Sequence, residues 1–126
     1  IFKKKSESYF RKIENDITLS KLKKESTVIA LGGGAFLNST IRRSAKKLSV
    51  SFWLDVPIHE LIRRLKKSNQ RPLLFKKNIT DTVKKIYFDR KKTYNEADFK
   101  IKCGSLKSDQ IVSIILNLYE NAGNKI

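Results

Sequence analysis

A single cysteine, Cys103, excludes a disulfide framework and a CxxC metal pair. A reducing compartment suits such a chain, and the cytoplasm is its expected location. No apolar run is long enough to cross a bilayer as a helix, and no signal-peptide core opens the chain, so no membrane partner is expected. The one histidine, His59, has no acidic or thiol neighbour in sequence and reads as a surface residue. Acidic residues are scarce, 12 against 28 Lys and Arg, which leaves a formal charge of +16. With 126 residues there is room for one domain with a modest core, expected to span 1–126. The first residue is Ile1, and helical sequence begins almost at once. The expectation is the downstream part of a longer polypeptide.

The charge bears on the choice of partner. A strongly basic domain can serve nucleic acid, an anionic surface or anionic small molecules. Here the lysines fall in doublets on every element, such as Lys23-Lys24, Lys46-Lys47, Lys66-Lys67 and Lys91-Lys92. They do not gather on one face, and no aromatic residues alternate with them as a base-stacking surface requires. A nucleic-acid-binding module stays as the alternative from another functional class, but no nucleic acid is expected. A dispersed basic surface draws anions such as ATP at low salt.

What the chain does have is a strand running into glycine. Thr27-Val28-Ile29-Ala30-Leu31 suits a buried strand, and Gly32-Gly33-Gly34 follows directly. Three residues without side chains let backbone N–H groups come close to a ligand. In open α/β sheets the carboxyl end of a strand is where small ligands bind. Around this run, apolar periodicity predicts a helix over 6–24 with Tyr9, Phe10, Ile13, Ile17 and Leu22 inward. It predicts further helices over 38–47, from Pro57, over 80–95 and over 108–122, with strands at 49–54 and 98–102. Residues 68–80, with Arg71-Pro72 and an apolar centre at Leu73-Leu74-Phe75, read as a loop that folds over something. Helices alternating with strands imply a parallel sheet in an α/β layered fold.

Four arginines are candidates for anion chemistry. Arg90 interrupts the apolar stripe Val83, Ile86, Tyr87 and Tyr94. A guanidinium there needs a carboxylate, a phosphate or water, or else it snorkels from the core edge. Arg11 and Glu14 are one helical turn apart, which by itself suits a surface ion pair. Arg71 is either a solvated charge or part of a closing lid. Arg64 reads locally as an exposed helix charge.

With these residues in view, the chain resembles shikimate kinase along almost its whole length. Ser6-Glu7-Ser8-Tyr9-Phe10-Arg11-Lys12-Ile13-Glu14 resembles the family's GExxFRxxE helix, and Val28–Ala35 its strand and triple glycine. Arg71-Pro72-Leu73-Leu74 resembles the lid's RPLL, and Arg90–Tyr94 with Ala97-Asp98 resembles the RxxxYxxxAD segment. The resemblance implies a parallel-sheet P-loop kinase fold related to nucleoside monophosphate kinases, here without its first two strands. It implies transfer of the γ-phosphoryl group of ATP, with Mg²⁺, to the 3-hydroxyl of shikimate, on the route to chorismate and the aromatic amino acids. Arg11 and Arg90 would hold the shikimate carboxylate, with Gly32, Gly33 and Gly34 beside them and Glu14 fixing Arg11. Arg71 would come down on the phosphates as the catalytic arginine. Arg64 would lie against the adenine, and the loop at Ser105–Ser108 would close its other side, with Ser108 as the nucleotide-binding residue. Shikimate and ATP are the expected partners, and the expected state is a monomer. Another small-molecule P-loop kinase, of the gluconate type, is the competing enzyme; the triple glycine, RPLL and the Arg90–Tyr94 pair argue against it. A fusion with another enzyme of the same pathway stays open.

The departures are as informative as the matches. No GxxxxGKS or GxxxxGKT occurs, so no P-loop cradles phosphates and no hydroxyl from it ligates Mg²⁺. The acidic DxD-type segment is absent too, and no metal ligand is assigned here; both are expected upstream of Ile1. Ser6 stands where the family usually has Gly, and the 105–108 loop lacks the usual Arg and Pro. The family's sheet puts its first strand between the strands at 27–31 and 49–54, so both are expected to expose unpaired edges. Phosphoryl transfer depends on the missing parts. The 126-residue chain alone is therefore expected to show no ATP-dependent shikimate phosphorylation. A coupled assay for ADP release checks this, and turnover above the ATPase background would refute it.

Overall fold

The computed structural model describes residues 4–67 and 78–122. Most of the loop expected over 68–80, Arg71 included, lies outside the described residues. The chain divides into two compact units, one reaching to Ser51 and the other spanning Phe52–Asn121.

The first unit opens with helix α1, Lys4–Leu22. Lys, Glu and Leu favour the helix, and Glu7 in the first turn and Lys21 in the last oppose the helix dipole. Two i→i+3 bonds, Lys23 N to Ser20 O and Lys24 N to Lys21 O, tighten its end, and Ser26 then turns at φ 53°. After an extended stretch, a 3₁₀ turn at Ala35–Leu37 leads into helix α2, Ser39–Leu48. Asn38 caps α2: its side chain accepts from Ile41 N at 3.1 Å. Arg42 Nη1 donates to the carbonyls of Phe36 and Leu37 and satisfies the end of the 3₁₀ turn. Ala35, Ile41 and Ala45 form the core with Leu22 and Thr18 of α1, and Ile41 is fully buried.

Two expectations fail in this unit. The residues at 27–31 form no strand. An extended segment becomes a strand only when its N–H and C=O groups meet a partner strand, and among the described residues Thr27–Leu31 meets none. Val28 is 99% exposed as a result. The apolar stripe of α1 is also turned outward: Tyr9, Phe10, Ile13 and Ile17 are all exposed. The face that packs instead is polar for most of its length and runs through Arg11, Glu14, Asn15 and Thr18 to Leu22. Helical spacing alone finds the stripe, but it cannot tell which of two faces has a neighbour to cover it.

The second unit holds the sheet. Strand β1, Phe52–Asp55, pairs in parallel with β2, Phe99–Lys102, in the register Phe52↔Phe99, Trp53↔Lys100, Leu54↔Ile101 and Asp55↔Lys102. Phe52 and Phe99 stack across the pair with ring centres 5.5 Å apart. Between the strands lie α3, Ile58–Lys67, and α4, Ile79–Tyr94, packed on each other. Pro57 opens α3 as expected, its carbonyl accepting from Glu60 N and Leu61 N. Asn78 caps α4 reciprocally, accepting from Asp81 N and donating to Asp81 Oδ2. After β2 the chain turns through Gly104, whose φ of +34° suits glycine, into α5, Ser108–Asn121, which packs on β2. Gln110 Oε1 accepts from Lys107 N and closes the start of α5. Val83, Ile101 and Cys103 are the buried residues of this unit.

Both cores are small, while Tyr9, Ile17, Val28, Val112, Leu116 and Tyr119 are among the large apolar residues left more than half exposed. Such surface favours association over folding of the monomer. The isolated chain is expected to melt broadly and to self-associate. Calorimetry with sedimentation velocity checks this; a sharp cooperative transition of a monomer would count against it.

Candidate functional site

In the first unit the structure brings Arg11, Glu14, Gly32 and Gly34 together. Arg11 Nη1 donates to Glu14 Oε1 at 2.7 Å, and Glu14 is the more buried partner. The guanidinium also lies over the Phe10 ring, 5.4 Å from its centre. The glycines explain why this pair is more than a surface contact. A Cβ on Gly34 would stand only 2.7–2.9 Å from Nη1, Nη2 and Cζ of Arg11, and one on Gly32 would touch Glu14 Oε2 at 3.4 Å. The ion pair therefore rests directly against bare backbone. None of the three glycines has a positive φ, and Gly34 is at φ −94°, ψ −14°. At Gly34 the missing side chain leaves the space that the Arg11 guanidinium occupies, and no left-handed backbone is involved. Glu7, Ser8, Lys12, Asn15 and Asp16 line an open depression around Arg11.

Arg90, Arg64 and Ser108 lie in the second unit. Arg90 is half-buried on α4, in the stripe with Tyr87 and Tyr94, and no carboxylate pairs with it among the described residues. Arg64 is exposed, and its Nε donates to Glu60 Oε2 at 3.0 Å. Arg63 binds the same carboxylate through Nε and Nη2, at 2.8 and 2.6 Å. Those hydrogen bonds, Arg63 first and Arg64 second, hold the Glu60 carboxyl down at about 2, against an ordinary value of 4.5. Ser108 is exposed at the first position of α5. His59 is exposed as read. Cys103 is buried, and desolvation, aided by the Asp55 charge, pushes its thiol up and away from thiolate chemistry.

One cluster escaped the reading of the sequence. Asp55, the last residue of β1, accepts from the Tyr87 hydroxyl at 2.9 Å through Oδ1 and faces Lys100 Nζ at 3.6 Å through Oδ2. Its carbonyl accepts from Cys103 N. Lys100 in turn lies 4.9 Å above the Trp53 ring, and Tyr87 and Tyr94 pack on the same ring at 6.5 and 5.8 Å. Burial, with the Asp55 hydrogen bond second, raises the Tyr87 hydroxyl above its ordinary value. Tyr87 and Asp55 are 32 residues apart, and no local pattern announces such a pair.

One unit thus holds an arginine against a glycine run, and the other a parallel β-pair flanked by helices, an α/β arrangement. The comparisons identify the chain's family. A family model described as "Shikimate kinase" matches residues 1–120. The chain is 35% identical over 122 residues to a shikimate kinase of Aquifex aeolicus, covering 97% of this chain and 71% of the relative. It is 37% identical over 116 residues to one of Persephonella marina, covering 92% and 70%. With one of Bartonella quintana it is 39% identical over 100 residues, covering 79% of this chain but 48% of the relative. The crystal structure of a shikimate kinase from Bacteroides thetaiotaomicron superposes with a TM-score of 0.75 at 22% identity, over 94% of this chain and 70% of that one. The fold is shared, and this chain belongs to the shikimate kinase family. It spans from about half to about seven-tenths of the length of these relatives.

The doubly bound Glu60 sets a pH dependence. Its folded value lies below the ordinary one, so its contribution to helix α3 is present above about 4.5 and is lost as pH falls through about 2. The difference in helicity between the chain and its Glu60→Gln variant, read by circular dichroism, is expected to stay constant above pH 4.5 and to vanish toward pH 2. A difference that does not change with pH would refute this.

Proposed function

We propose that the protein carrying this chain transfers the γ-phosphoryl group of ATP to the 3-hydroxyl of shikimate, and that the described residues supply the acceptor side of that reaction. The observation that carries this reading is the Arg11–Glu14 pair seated against Gly34 and Gly32 in a member of this family. Glu14 takes one guanidinium donor and fixes the rotamer, and the rest of the planar fork stays available for a bidentate carboxylate. Arg90, half-buried and with no paired carboxylate among the described residues, supplies the second positive charge. The backbone amides of Gly33 and Gly34 add neutral donors beside Arg11.

On the nucleotide side, Arg64 lies against the adenine, and Ser108, at the start of α5, follows the loop that closes on it. Arg71, outside the described residues, meets the phosphates and offsets charge as the bond to ADP breaks and the bond to the shikimate oxygen forms. Among the described residues no group of three or more His, Cys, Asp or Glu could hold a metal ion. The reaction belongs to the cytoplasmic route to chorismate, and the chain works as one domain within a monomer.

The substrate test is the negative charge of the carboxylate. The chain is expected to bind shikimate saturably in calorimetry and its methyl ester much more weakly. Arg11→Ala and Gly34→Val are each expected to lower shikimate affinity by about tenfold or more, the size of one lost charge-assisted hydrogen bond. Equal binding of acid and ester, or of the chain and both variants, would refute the carboxylate site.

A further inference from the structure

The Asp55 cluster reaches, through Tyr87, the helix that carries Arg90. Tyr87, Arg90 and Tyr94 share one face of α4 at i, i+3 and i+7. Tyr87 and Tyr94 both rest on Trp53, so Arg90 projects from the helix between two anchored rings. Ring contacts alone leave a helix free to roll and slide by small amounts, because apolar packing has little directionality. The Tyr87 hydroxyl removes that freedom. It donates at 2.9 Å to Asp55 Oδ1, and Asp55 is itself held on three sides: by the β1 backbone, by Lys100 at Oδ2, and by Cys103 N at its carbonyl. A hydrogen bond to a charged, mostly buried acceptor is short, directional and stronger than a neutral one. The carboxylate faces Tyr87 and Lys100, and among the described residues it makes no ion pair with Arg90.

We infer that Tyr87 and Asp55 are positioning residues for Arg90: their hydrogen bond locks the rotation of α4 against the carboxyl end of β1 and so sets where the Arg90 guanidinium meets an anionic substrate. The inference rests on the reading of Arg90 as a carboxylate partner. It goes further by assigning substrate affinity to two residues that touch no substrate. Displacements of about 1 Å in such a group matter for binding and rate, so a lost latch acts without changing the arginine itself.

The test follows the Arg90 side chain directly in the 126-residue chain, by the ¹⁵N–¹H signal of its Nε group, together with shikimate titrations. Tyr87→Phe keeps the ring on Trp53 and removes only the hydroxyl. It is expected to raise the mobility of Arg90 Nε–H, leave that of Arg64 unchanged, and weaken shikimate binding by about tenfold. Asp55→Asn keeps an acceptor and is expected to retain most of both readouts, whereas Asp55→Ala is expected to match Tyr87→Phe. The double variant Tyr87→Phe/Asp55→Ala is expected to be no worse than either single one, because both break the same bond. A purely structural role would lower the melting temperature without moving the Arg90 signal selectively, and that result overturns the inference. Unchanged Arg90 mobility in Tyr87→Phe overturns it as well, whether or not shikimate binds. Arg90→Ala separates the two layers. If it abolishes binding while Tyr87→Phe does not weaken it, the latch is wrong. If Arg90→Ala binds as the unaltered chain does, the carboxylate reading of Arg90 falls first.

Discussion

A strand exists only as one side of a pair. That constraint decides more of this structure than any single residue does. Phe52–Asp55 and Phe99–Lys102 satisfy it for each other, and everything placed in the second unit follows from their ladder. The ladder sets Trp53 opposite Lys100, brings Asp55 to the strand end where the Cys103 amide closes on it, and gives α4 an aromatic surface to lie on. Thr27–Leu31 has the composition of a strand and fails the same constraint. It stays extended, with Val28 in solvent.

Helix ends were the most legible features of the sequence, because their signals are local. Asn38 caps the helix expected of it and Pro57 opens the next one, while the Asn78 cap of α4 was not singled out. Apart from the strand expected at 27–31, which does not form, helix and strand limits agree with the reading to within a few residues. Two things could not be read. Whether an apolar stripe is covered depends on what lies opposite, so Tyr9, Ile13 and Ile17 looked like core and are exposed. Whether two distant side chains meet depends on the finished fold, so the Tyr87–Asp55 bond left no trace in spacing or composition.

The site was legible in residue type but less so in reason. A run of glycine after an apolar segment suggested backbone freedom. What the fold uses at Gly34 is the space of an absent side chain, taken up by the guanidinium of Arg11. Local reading gave Arg11 and Glu14 the value of a surface pair, and seating them on glycine gives the pair a fixed platform. Arg90 was legible because a charge inside an apolar stripe is costly wherever it occurs, whatever the fold.

Trp53 is the chain's one tryptophan, and it stands where three contacts converge: a lysine across the strand pair and two tyrosines from α4. All indole emission from this protein therefore originates at a single, known location. Excitation absorbed by Tyr87 and Tyr94 drains into that ring, whose neighbouring ammonium shifts its excited-state energy. Any event that tilts α4 moves both tyrosines relative to that ring. The molecule carries its own optical gauge of helix position, and no label has to be added to read it.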